Sequence, residues 1–109
     1  MSSLSEFHKV GKVGDVADGD MTAVWAGPLE VLLARVGDEY FAIDNACSNA
    51  DAMLSMGYLY PERCEVECPL HEGIFDLRTG GVIQEPADEP VEAFDVKIEG
   101  DDILVGPKE

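Results

Sequence analysis

Apolar positions come in short runs that alternate with polar ones, with no stretch holding a 3.6-residue period. In Val91–Glu99, the apolar Phe94, Val96 and Ile98 alternate with Asp95, Lys97 and Glu99. A two-residue period marks a strand with one face toward the core. Met21–Trp25 and Leu29–Val36 are apolar runs with Ala26-Gly27-Pro28 as a turn between them. Gly37-Asp38-Glu39 turns the chain into Tyr40–Asp44, and Gly100-Asp101-Asp102 turns it into Ile103–Val105. Arg63–Cys68 reads as a half-buried strand with Cys64, Val66 and Cys68 on one face. Ile74–Leu77 is short and apolar and runs into the turn Arg78-Thr79-Gly80-Gly81. His8 falls in a first strand as an ordinary edge residue, and Trp25, Phe41 and Phe94 are expected in the core. Short strands punctuated by Gly, Pro and Asp predict an all-β antiparallel sandwich or partly open barrel. Between Asp44 and Arg63 lies a long segment without strand pattern, and long ordered loops usually carry function.

A chain of 109 residues with 46% hydrophobic residues predicts one folded domain spanning 1–109, with a modest core. Charge changes the picture more. Seven basic residues face 23 acidic ones, for a net charge of −16. That excludes nucleic acid and anionic membrane as expected partners, since both select Lys and Arg, and it suits basic patches on other proteins. No apolar run approaches the roughly 20 residues of a membrane helix. The first ten residues do not read as a secretory signal, so the expected location is cytoplasmic. Three cysteines make a poor disulfide scaffold, and reduced cysteines near a histidine point to a metal. Cys64 and Cys68 would stand roughly 13 Å apart along an extended strand, so no disulfide is expected between them. Cys64 is expected to be a buried structural thiol.

Candidate chemistry lies in two stretches. Cys68-Pro69-Leu70-His71 places a thiolate and an imidazole three residues apart at a strand end. Cys47-Ser48-Asn49 supplies a second thiolate with an amide two places on. Alone, each pair is commonplace. Together with the residues around them, from Cys47 to Leu59 and from Cys68 to Gly80, they resemble the Rieske iron–sulfur family, and most nearly the small ferredoxins of bacterial ring-hydroxylating oxygenases. The likeness runs from Phe7 to the closing hairpin. It implies a Rieske-like fold with a small two-loop cluster-binding subdomain, its loops at about 45–57 and 68–80, and a covering loop around Pro86 and Pro90. It implies a [2Fe–2S] cluster with two cysteines on one iron and two histidines on the other. It also implies an electron carrier, not itself an enzyme, between a flavin-dependent ferredoxin reductase and a terminal oxygenase. The chain has no glycine-rich dinucleotide motif of its own and needs that external reductase.

The sequence departs from the family at one ligand. Cys47, Cys68 and His71 match, but Asn49 stands where the family has histidine. An amide is a poor replacement for imidazole on iron. The sequence leaves three outcomes open. The cluster persists with Asn49, water or Asp51 completing the second iron; a single metal ion sits on Cys47, Cys68 and His71; or the site is empty and the domain is a structural or interaction module. Other departures set the branch. Leu70 and Asp51 or Ala52 occupy the places of the extra cysteines in respiratory relatives, and Gly73 and Phe75 those of a serine and a tyrosine that donate to sulfur. Fewer hydrogen bonds to the sulfurs lower the reduction potential, as befits a carrier feeding oxygenases.

Overall fold

The computed structural model describes residues 2–48, 51–70, 72–85, 87 and 89–109. Among them run ten strands: β1 (His8–Lys12), β2 (Met21–Ala26), β3 (Leu29–Val36), β4 (Glu39–Asp44), β5 (Tyr58–Tyr60), β6 (Glu65–Glu67), β7 (Ile74–Asp76), β8 (Val82–Gln84), β9 (Ala93–Glu99) and β10 (Asp102–Gly106). Every pairing is antiparallel. A six-stranded sheet has the order β1-β10-β9-β4-β3-β2, and a four-stranded sheet the order β5-β6-β7-β8. β1 approaches β2, and the His8 ring lies against Gly27 in the β2–β3 turn, so the larger sheet curls into a nearly closed barrel. The expected all-β, barrel-like architecture is the one observed.

β3 explains how the two sheets meet. Val31, Leu32, Leu33 and Ala34 are all buried, although successive side chains of a strand point to opposite faces. Val31 and Leu33 join Ala42, Phe94, Ile103 and Val105 inside the barrel. Leu32 and Ala34, with Ile43 of β4, join Val66 and Phe75 of the smaller sheet and Leu77 just after β7. A strand covered on both sides reads as a continuous apolar run, which is what the sequence has.

Several expectations need correction. The strand expected over Arg63–Cys68 is only Glu65–Glu67. Pro61–Arg63 form a single 3₁₀ turn, and Cys64 closes it in the left-handed region at φ 56°. Cys64, Val66 and Cys68 are nevertheless all buried, as the alternation required. The segment between Asp44 and Arg63 contains β5, whose three residues are too few to display a period, and β8 is exposed throughout. β9 begins at Ala93, two residues later than the pattern suggested, because the Val91 N–H bonds to Gly80 O at 2.9 Å. Trp25 is not core: it is 62% exposed. Val24 and Ala26 turn toward the barrel interior, so the residue between them must face out.

Candidate metal centre

The Cys47 loop leaves β4 at Asp44 and returns at β5. It is a miniature hairpin. Leu54 N donates to Asn45 O at 2.7 Å, Ala46 bridges Met53, and Cys47 N donates to Ala52 O at 3.0 Å. Asn45 fixes its root and is the one fully buried polar side chain among the described residues, at 2% exposure. Its Oδ1 accepts from Ser55 N at 2.9 Å, and its Nδ2 reaches Glu30 Oε1 at 3.4 Å. Ala46 N donates to Asp44 Oδ1 at 3.0 Å. A buried amide with partners on both its oxygen and its nitrogen pins the loop against β3.

The second loop is tighter. Cys68 N donates to Gly73 O at 2.9 Å, closing residues 68–73, and Gln84 Nε2 donates to Glu72 O at 2.7 Å. The two loops meet at their roots. A Cβ on Gly57, where the first loop ends, would overlap the carbonyl oxygen of Glu67, the residue before Cys68. Only glycine permits so close an approach. Gly80, at φ 75°, makes a similar approach to the Val91 carbonyl. A third segment closes over both. Ala87 and Val91 are buried in the same apolar cluster as Cys47 and Cys68, and Ser48 Oγ donates to Glu89 O at 2.6 Å.

Cys47 and Cys68 are therefore buried thiols at the mouths of two interlocked loops, packed with Leu54, Val66, Phe75 and Leu77. Cys64 is also a buried thiol, and no disulfide links the three. It sits at the far end of β6, and its carbonyl accepts from Leu77 N. Burial pushes its pKa up, an effect Arg78 only partly offsets, and it packs in the apolar core cluster. His71 and Asn49, the other two candidate ligands, lie outside the described residues, as does Pro86. Among the described residues no group of three ligating side chains is assembled.

Residues 6–95 match the family of the Rieske [2Fe–2S] domain. The chain belongs to that family. It is 46% identical over 97 residues to the ferredoxin component of biphenyl 2,3-dioxygenase from Rhodococcus jostii (strain RHA1), covering 89% of each chain. Among solved structures, it resembles the ferredoxin of carbazole 1,9a-dioxygenase from Nocardioides aromaticivorans IC177. There the TM-score is 0.90 and the identity 43%, over 95% of this chain and all of that one. A further neighbour is a complex of reduced oxygenase and oxidised ferredoxin in carbazole 1,9a-dioxygenase, with TM-score 0.85 and 30% identity over 94% of this chain and 95% of that one.

The cofactor of a Rieske domain is a [2Fe–2S] cluster, and the donor set described fits its thiolate half. Cys47 and Cys68, side chains of the soft-donor type that iron–sulfur clusters take, are held on separate loops in an apolar cluster. Phe75 is buried in that shell and offers no hydrogen-bond donor. Sequence reasoning missed Asn45, Ser48 and Gly57. Asparagine directly after a strand is a loop-initiating signal that would have pointed to the first.

Proposed function

We propose that this chain is the ferredoxin of a ring-hydroxylating oxygenase system, carrying one electron from a flavin-dependent reductase to the terminal oxygenase. It is a carrier, not a catalyst. The observation that supports this most is the pair of buried thiols, Cys47 and Cys68, at the mouths of two interlocked loops in a Rieske chain. A relative's complex with its oxygenase supports the choice of acceptor. The working unit is the single domain 1–109, with cluster loops at about 45–57 and 68–80.

Cys47 and Cys68 would hold one iron as thiolates and His71 would bind the other through imidazole. Asn49 would fall at the remaining ligand position of the motif. The cluster, when bound, takes up and releases one electron. The protein's part is to hold it. The hairpin rooted at Asn45 carries Cys47, the Cys68 N–H to Gly73 O bond ties the second loop at Cys68, and Ala87 and Val91 pack into the same apolar cluster. The apolar surroundings of Cys47 and Cys68 would favour the less charged, oxidised form and lower the potential. No helix among the described residues is long and apolar enough to cross a membrane. We place the carrier in the cytoplasm, beside its protein partners.

Asn49 supports a second reading, a Rieske module without a working cluster. Anaerobic reconstitution separates the two. The carrier reading expects iron and sulfide in the ratio of the [2Fe–2S] core and charge-transfer absorption in the visible. A colourless chain that takes up neither, or a mononuclear zinc protein, contradicts it.

A further inference from the structure

Beside the first cluster loop lies an open groove of about 630 Å³. Its apolar walls come from Trp25, Leu29 and Met53, and three carboxylates line it: Glu30, Asp44 and Asp51. Among the described residues that line it, none is basic. Trp25, the single tryptophan of the chain, is 62% exposed, and Met53 is 47% exposed. A large indole left in water is an informative exception, since tryptophan has the most apolar area to gain by burial. Glu30 and Asp44 each accept a hydrogen bond inside the fold, from Asn45 Nδ2 and Ala46 N, and a carboxylate has capacity for more.

We propose that this groove is a docking surface for the terminal oxygenase, and that it receives an arginine or lysine of that partner flanked by apolar side chains. The proposal rests on the electron-carrier reading above. Charge selects the occupant. A groove lined by an indole and by carboxylates attracts a cation through both the ring and the acids. A second copy of this chain, at net −16, would bring acid against acid, and nucleic acid or anionic lipid is repelled in the same way. Position selects the role. Asp44–Ala46 and Asp51–Met53 are the two arms of the loop that carries Cys47, so a partner seated in the groove lies against the cluster loop from the side. Buried tryptophan and arginine dominate interface energies, which makes Trp25 the expected anchor.

The test labels the single tryptophan as 5-fluorotryptophan and follows its one ¹⁹F resonance during titration with a terminal ring-hydroxylating oxygenase that the wild-type chain reduces. The resonance is expected to shift and saturate with binding. Trp25→Ala is expected to raise Kd about tenfold or more, while the visible spectrum and reduction by the reductase stay as in wild type. Met53→Lys, on an exposed side chain, puts a like charge in the cation's place and is expected to weaken binding to a similar degree. An unmoved resonance at saturation overturns the proposal. So does wild-type affinity in both variants, or a loss seen with the reductase and not the oxygenase. A wild-type chain that reduces no such oxygenase removes the carrier reading, and the groove's role falls with it.

Discussion

Cys64 and Cys68 are four residues apart and both buried, yet only Cys68 sits at the mouth of a loop. Cys64 closes a 3₁₀ turn in a left-handed conformation, with its thiol pressed into the core and its pKa raised by burial. Cys68→Ala is therefore expected to abolish iron uptake. Cys64→Ala is expected to keep it and to lose about 1–2 kcal/mol of stability, the cost of a small cavity. Iron analysis and urea titration of the two variants check this, and equal iron loss in both would contradict it. Asn49 gives a second prediction at this scale. Imidazole suits iron better than an amide, so Asn49→His should slow the bleaching of the cluster in air. Equal bleaching rates would show that Asn49 is not the weak point. Cys47 and Cys68 stood out as candidates because residue type and spacing carry that chemistry, and both are buried in one cluster, while His71 and Asn49 lie outside the described residues. Trp25 was misjudged because hydrophobicity alone does not say which face of β2 a side chain takes.

The strand framework was legible wherever one face was apolar and the other polar, as in β9, or where both faces were covered, as in β3. It was not legible in β5 and β8, which are three residues long and owe their existence to pairing with β6 and β7. The loop architecture was hidden for a related reason. It depends on contacts distant in sequence: Gly57 against Glu67, Gly80 against Val91, Asn45 against Glu30. These contacts predict behaviour. Gly57→Ala forces a Cβ into a backbone carbonyl that cannot move without opening β6, and should destabilise by roughly 2–4 kcal/mol and speed cluster loss. Asn45→Ala leaves the half-buried Ser55 N–H without its acceptor and should cost about 1–2 kcal/mol. Urea unfolding with an unchanged m-value measures both. If neither variant loses stability, the loops are not held in the way described.

At the scale of the whole molecule, charge governs encounter and the cluster governs purpose. A net charge of −16 predicts association steered by basic surfaces, with an on-rate for the oxygenase that falls steeply with salt. Between about 10 mM and 0.15 M the screening length shrinks from about 30 to 8 Å, and most of the loss should occur in that range. Stopped-flow association across it checks the claim, and a flat response would remove charge from the account. An electron carrier must hold an unpaired electron when reduced. The most direct measurement is therefore the EPR spectrum of the anaerobically purified chain, reduced with dithionite, beside its Cys68→Ala variant. The account predicts a rhombic signal of a reduced [2Fe–2S] cluster in the wild type, absent before reduction and absent in the variant. A wild-type chain that stays EPR-silent and colourless under the same treatment would contradict it.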